Sequence, residues 1–350
     1  MKTMKAANLY APGDLRVEAV PMPEPAAGEV LVKVKACGVC GSDISRVMET
    51  GTYHFPTIPG HEFAGEVVEL GPGVAGITPG SRVTVVPLIP CKACQYCGIG
   101  AYHLCEHYSY LGSRADGAFA EYVKGPAANL LPLPEGVDFA LGAMTDPAAV
   151  ALHAIRKLGI DAGDRLAVFG VGPIGAFALQ WAKIVGVRET IAVDIFPEKL
   201  QIAHDLGADL CVDGSQDDPL GVIQEHTGGT GVERALEFAG HPVTQEQSIL
   251  ATAKRGACVW GGISHQGLNL SAKAVDAILR KEMTITGSWN SSFAPLVSDW
   301  EKTLIYMGQG KITAGNIISH RLALEAIRET FAMMLARKQY FNKVMFFPEM

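Results

Sequence analysis

The sequence predicts an α/β protein: a doubly wound parallel sheet joined to a second, β-rich domain drawn from both ends of the chain. Three observations carry this. Between residues 148 and 290, buried β-type runs alternate with helical runs at the spacing of βαβ units. Before them, in residues 1–147, short β-type runs are broken repeatedly by Gly and Pro. After them, residues 291–350 read as helices and one last strand, with no further Gly-rich turn.

Taken in order, "EVLVKVKA" (29–36), "FAGEVVEL" (63–70) and "RVTVVP" (82–87) form an antiparallel, barrel-like pattern with long loops. "RLAVFG" (165–170) then reads as a buried strand and "PIGAFALQWAKIVG" (173–186) as a helix. "TIAVDI" (190–195) is the next strand, and "PEKLQIAHDLGA" (197–208) the next helix. The alternation continues through "RALEFAG" (234–240), "PVTQEQSILATAK" (242–254), "ACVWGGI" (257–263) and "EMTITGSW" (282–289). "KVMFF" (343–347) closes the chain, and this tail is expected to pack back onto the N-terminal β domain.

At 350 residues the chain has room for one or two domains of ordinary size. It is 48% hydrophobic and 19% charged, and a net charge of −7 with no basic stripe argues against nucleic acid or an anionic membrane surface as partner. The N-terminus lacks the apolar run and cleavage site of a signal peptide. The apolar window 169–187 opens on a glycine cluster and carries Gln180 and Lys183, so it reads as strand–turn–helix rather than a membrane span. A cytoplasmic protein is expected. In that reducing compartment, clustered cysteines are metal ligands before they are disulfides.

Gly170, Gly172 and Gly175 spell G-x-G-x-x-G between a strand and a helix, with Pro173 and Ile174 inside the turn. Asp194 ends the following strand. The glycines permit a tight turn in which backbone N–H groups and the helix N-terminus meet a pyrophosphate. Asp194 is placed for the ribose hydroxyls of the coenzyme, and its charge would repel a 2′-phosphate, which favours NAD over NADP.

Cys91, Cys94, Cys97 and Cys105 are spaced C-x2-C-x2-C-x7-C. Four thiolates saturate tetrahedral zinc, so this lobe (88–110) reads as structural, with an iron–sulfur cluster or a redox dithiol as the competing readings. His103 and His107 read as surface residues. Chemistry then needs a second site with an open position. Cys40 in "GVCGSD" and His61 and Glu62 in "PGHEFAGEV" are candidates, although their spacing alone does not pair them.

Their order does. "GHEFAGEV", the cysteine lobe and the dinucleotide fingerprint follow one another as in the zinc-dependent medium-chain dehydrogenases, which the chain resembles along essentially its whole length. The resemblance implies a GroES-like catalytic domain (1–147 and 291–350), a Rossmann NAD-binding domain (148–290) and an interdomain active site. It implies two zinc ions per chain and a homodimer or homotetramer.

It also implies that Cys40 and His61 bind the catalytic zinc. The third ligand in the polyol-dehydrogenase branch is a Glu before Pro; here that position is Asp146, one methylene shorter, leaving Asp146 or Glu62 to complete the shell. Ser42 matches the hydroxyl that takes the substrate proton, and Ser45 stands where the alcohol dehydrogenases place a relay histidine. Hydride leaves an alkoxide more readily than a neutral alcohol, and bound zinc lowers the pKa of an oxygen ligand.

"VPLIPCKACQYC", "YLGSRADGAFAEY" and "ILRKEMTITGSW" resemble the enzymes of galactitol 1-phosphate-like polyol phosphates more than those of sorbitol, threonine or butanediol. A phosphorylated substrate needs a cation, for which Arg46 and Arg114 are candidates. Trp289 and Asn290 fall where the family approaches substrate, and Lys281 reads as structural. The expected activity is oxidation of a polyol or polyol phosphate by NAD, with an unphosphorylated polyol, diol or other secondary alcohol as the alternative. A catalytically inactive zinc- and nucleotide-binding protein is the reading from another class, favoured only by the Glu-to-Asp departure.

Overall fold

The computed structural model describes residues 2–350. The chain divides into two units: Met1–Asp146 with Ser292–Ala314 and Ile318–Met350, and Pro147–Ser291 with Gly315–Ile317.

In the second unit, the alternation predicted from the sequence forms a six-stranded parallel sheet. Its order is Leu210–Asp213, Glu189–Asp194, Arg165–Phe169, Val232–Glu237, Thr252–Trp260, Thr284–Gly287. Strands buried on both faces need continuous apolar runs, and Leu166, Ala167, Val168 and Phe169 are all fully buried. Helices Pro173–Ile184, Pro197–Asp205, Pro219–His226 and Pro242–Ala251 each begin with proline, whose missing N–H costs nothing in a first turn. The strand order reverses between Arg165–Phe169 and Val232–Glu237, which opens a crevice at their carboxyl ends.

One boundary differs from the sequence reading. The helical run 242–254 stops at Ala251, and Thr252–Trp260 is one strand. Thr252 is already extended (ψ 135°), and Arg255 adopts a left-handed φ of 59° beside Gly256. The chain thus bulges where its register against Val232–Arg234 shifts, and a helix cannot carry through a bulge.

In the first unit, a sheet runs Ile318–Leu322, Lys343–Phe346, Glu29–Gly38, Glu62–Leu70, Arg82–Val85, Leu130–Pro132, with Tyr122–Pro126 also paired to Glu29–Gly38. Met345 and Phe346 pair with Gly38 and Cys37, so the C-terminal strand lies against the segment leading to Cys40. Phe119 meets Phe331 and Phe346 edge-on at 5.9 and 5.6 Å, all three fully buried. Burial of side chains this size contributes about 1.5–3 kcal/mol each, enough to make the tail part of this core.

Candidate metal centres and coenzyme turn

Cys40 caps the short helix Gly41–Ser45 from extended backbone (φ −83°, ψ 151°). In that helix the fully buried Asp43 turns its carboxylate back and accepts the Cys40 N–H at 3.0 Å. Gly60, at φ 94°, precedes His61, and a Cβ there would stand 2.8 Å from the Phe119 ring. Only glycine lets the chain pass so close and enter the strand Glu62–Leu70 with His61 facing Cys40. The sulfur of Cys40, a ring nitrogen of His61 and a carboxylate oxygen of Glu62 all lie within 4.8 Å of one another.

His61 Nδ1 sits 3.1 Å from Asp43 Oδ1, which leaves Nε2 as the ligand atom. Burial alone would lower the basicity of His61. Asp43 and then Cys40 outweigh it and hold the imidazole well above its ordinary value. Burial likewise opposes the ionised Asp43, but His61 and Arg46 bring its carboxyl below the usual range.

Lys343, from the C-terminal strand, forms a buried ion pair with Glu62 and donates a second hydrogen bond to the Val39 carbonyl at 2.9 Å. A buried ammonium needs such partners. Nothing in "KVMFF" beyond one lysine in an apolar strand hints at this pairing, 281 residues away in the chain. Asp146, in the first turn of helix Thr145–Lys157, is buried nearby but does not belong to the three-donor set. Burial pushes its carboxyl up to about 7; His61 and Lys343 oppose the rise, Glu62 and Asp43 add to it.

The donor set fits zinc: thiolate, imidazole and carboxylate are its ordinary ligands. Lys343 pairs with the Glu62 carboxylate and offsets its charge.

Around this set, Ser42 Oγ accepts a hydrogen bond from Arg46 Nη1 at 3.0 Å, and Ser45 Oγ donates to the Ser42 carbonyl at 3.3 Å. Tyr110, not identified from the sequence, packs edge-on against His61 with ring centres 5.3 Å apart. Burial, then the charges of Asp146 and Cys40, hold its phenol well above the ordinary value, so it stays protonated. Its neighbour in the same loop, the exposed Arg114, lies over Tyr53 at 3.8 Å and Tyr108 at 4.7 Å.

Cys91, Cys94, Cys97 and Cys105 form the second set within 4.8 Å, with Cys94 and Cys105 sulfurs 3.9 Å apart. Tetrahedral zinc at about 2.3 Å from sulfur demands a sulfur–sulfur edge near 3.8 Å, far beyond a disulfide. The Cys91 N–H points at Cys105 Sγ (3.3 Å) and the Ala93 N–H at Cys91 Sγ (3.5 Å), which suits sulfurs carrying negative charge. Backbone N–H groups hold Cys94 down at about 6, while burial pushes Cys97 up to about 12, so a cation is what would make all four thiolates. His103 and His107 lie outside this set.

In the second unit, Gly170 has φ 93°, and a Cβ on Gly175 would fall 2.1 Å from the Gly170 oxygen. The turn is therefore open only to glycine. Gly172 caps the helix Pro173–Ile184, whose first-turn N–H groups, including those of Ile174 and Gly175, have no partner within the helix. Asp194 Oδ2 accepts the Val171 N–H at 2.7 Å, and Oδ1 accepts those of Ile195 and Phe196 at 2.8 and 3.1 Å. It braces the glycine turn while Oδ2 keeps a lone pair for a hydroxyl. Trp289 is 48% exposed, and Asn290 is left-handed at φ 52°. Lys281 donates to the Leu250 and Thr252 carbonyls at 2.8 and 2.5 Å, a purely structural post. No helix among the described residues is long and apolar enough to cross a membrane.

The geometry meets its counterparts among known proteins. Residues 26–135 match the alcohol dehydrogenase GroES-like domain, and residues 173–307 match the zinc-binding dehydrogenase domain. Galactitol 1-phosphate 5-dehydrogenase of Escherichia coli strain K12 is 33% identical over 324 residues, covering 91% of this chain and 92% of that protein. (R,R)-butanediol dehydrogenase of Bacillus subtilis strain 168 is 34% identical over 351 residues, covering 96% and 97%. The crystal structure of galactitol-1-phosphate dehydrogenase from Escherichia coli superposes with a TM-score of 0.92 at 32% identity, covering 99% of this chain and all of that one. With two zinc-fitting donor sets in one unit and a dinucleotide turn in the other, the chain belongs to the zinc-dependent, NAD(H)-using alcohol and polyol dehydrogenases.

Proposed function

We propose that this dehydrogenase oxidises a secondary carbinol of a sugar alcohol or sugar-alcohol phosphate of the galactitol 1-phosphate type, passing the hydride to NAD. The observation that carries the reading is the conjunction of a thiol–imidazole–carboxylate set with a hydroxyl and a guanidinium, Ser42 and Arg46, hydrogen-bonded beside it. Cys40 and His61, with Asp146 or Glu62, would hold the catalytic zinc; Cys91, Cys94, Cys97 and Cys105 would hold the structural one. When bound, zinc supplies a Lewis acid for the carbinol oxygen and NAD a hydride acceptor.

The residues do the rest. Ser42 Oγ receives the Arg46 N–H, so its own proton points elsewhere, and the oxygen can take the carbinol proton while passing its own to solvent. Ser45 keeps Ser42 in place through the backbone but carries no imidazole, so the proton leaves by water. Gly170, Gly172, Pro173, Ile174, Gly175 and Asp194 would seat the coenzyme, with Trp289 and Asn290 assigned to the substrate side. Asp194 favours NAD over NADP by repelling a 2′-phosphate.

Arg114 is the better phosphate candidate: two tyrosine faces hold its guanidinium while its donors stay exposed. Arg46 is already engaged by Ser42, which favours the second reading, an unphosphorylated polyol or diol.

Turnover of galactitol 1-phosphate, galactitol, sorbitol and (R,R)-2,3-butanediol, each with NAD and NADP, tests the proposal. Faster turnover of the phosphorylated polyol with NAD supports it, and Arg114→Ala should then raise KM for that substrate alone, by about tenfold or more. Equal rates with and without phosphate sink the phosphate half and leave the polyol.

A further inference from the structure

We propose that the Tyr110 hydroxyl recognises a second hydroxyl of the substrate, on the carbon next to the one oxidised. The inference rests on the reading of the substrate as a hydroxylated secondary alcohol and names the residue that would select it.

Tyr110 is firmly held. Its backbone pairs with Leu88 in a two-strand ladder. Its carbonyl accepts the N–H groups of Ser113, Arg114 and Ala115 at 3.3, 2.9 and 3.1 Å. Its ring lies between His61, 5.3 Å away, and Tyr108, 6.2 Å away. A phenylalanine would fill that space as well, so the oxygen is not there for packing.

That ring stands 5.3 Å from His61, a member of the three-donor set, which places the phenol beside the candidate site. It hydrogen-bonds to none of the described residues. Of the charged groups nearby, Asp43 faces His61 and Arg46 donates to Ser42. Tyr110 is half-buried, and a hydroxyl with no protein partner beside the donor set is free to bond a ligand. The ligand needs an acceptor for the phenol O–H, next to the oxygen that would be bound at the metal. An alcohol hydroxyl adjacent to the carbinol meets that description; a simple secondary alcohol lacks it.

The test is a cycle between enzyme and substrate: wild type and Tyr110→Phe, each with (R,R)-2,3-butanediol and (R)-butan-2-ol. The variant should lose about tenfold in kcat/KM for the diol and stay within about twofold for the mono-ol. The diol should also bind about tenfold more weakly to the variant's NADH complex, read by calorimetry. Metal analysis and Tm show whether the variant keeps its zinc and fold. Should it not, 3-fluorotyrosine at position 110 keeps the oxygen but strengthens its donation, and a changed diol-to-mono-ol ratio supports the inference. An unchanged ratio, equal losses with both alcohols, or no loss with either overturns it. A wild-type enzyme that oxidises no polyol, polyol phosphate or diol overturns the functional reading instead.

Discussion

Asp43 ties the candidate catalytic residues together: it accepts the Cys40 N–H at 3.0 Å and faces His61 Nδ1 at 3.1 Å from a fully buried position. It therefore fixes both the loop that presents the thiolate and the tautomer that presents Nε2. Asp43→Asn keeps the size but removes the charge. Zinc affinity at this site should fall by about 10–100-fold, measured as metal retained after dialysis against graded chelator, while the four-cysteine site keeps its ion. A variant that retains both ions as tightly as wild type would deny Asp43 this role. Cys40 and His61 sit in short motifs, but only the family resemblance paired them as ligands, and the structure places both in one donor set. Asp43 stands in the same "CGSD" stretch, yet its role depends on a distance to His61 that spacing does not give. Lys343 and Tyr110 were not legible at all: one is a single lysine in an apolar strand, the other one tyrosine of several in the lobe, and folding alone brings them to the site.

Elements were read well where periodicity is strong and poorly where a boundary depends on a single backbone angle. The buried strand Arg165–Phe169 and the helix after it follow from an apolar run and a glycine cluster. The end of the helix at Ala251 depends instead on Thr252 turning extended (ψ 135°), which residue type does not announce. The pairing of strands Arg165–Phe169 and Val232–Glu237 carries a testable ion pair. The Glu233 carboxylate accepts Arg165 Nη2 at 2.9 Å, Nε at 3.2 Å and the backbone N–H at 2.9 Å. Burial alone would raise its pKa, but the Arg165 bonds win and bring it from 4.5 to about 2. A depressed carboxyl stabilises the fold above its unfolded pKa. Its contribution is therefore complete above about pH 4.5 and disappears as pH falls toward about 2. Because the Glu233 side chain is 33% exposed, solvent screening leaves on the order of 1 kcal/mol. Calorimetry should show Glu233→Gln less stable than wild type at pH 7 and 5, with the gap closing between pH 4.5 and 2. A gap that stays constant to pH 2.5 would mean the carboxylate's charge contributes nothing.

Across the whole molecule, the change from Gly- and Pro-broken strands to strand–helix alternation was legible because it is a composition pattern sustained over more than a hundred residues. What the pattern could not show is how the tail completes the first unit. That depends on Phe331 and Phe346 meeting Phe119, and on Lys343 reaching Glu62. The first unit thus holds two donor sets of different character. The four sulfurs of the lobe leave no position for a substrate, whereas Cys40, His61 and a carboxylate leave one. Structure and chemistry should therefore separate on mutation. Cys94→Ser should lower the bound zinc from two ions per chain to one. It should also depress the unfolding transition of the first unit by roughly 5–10 °C, the size of a loss of a few kcal/mol in a unit this large. NAD binding, assigned by the proposal to the glycine turn of the other unit, should be unchanged. Below the lowered transition, kcat per remaining zinc should stay close to wild type. If turnover vanishes while the first unit melts at the wild-type temperature, the lobe takes part in the chemistry and the two sites have been assigned the wrong way round.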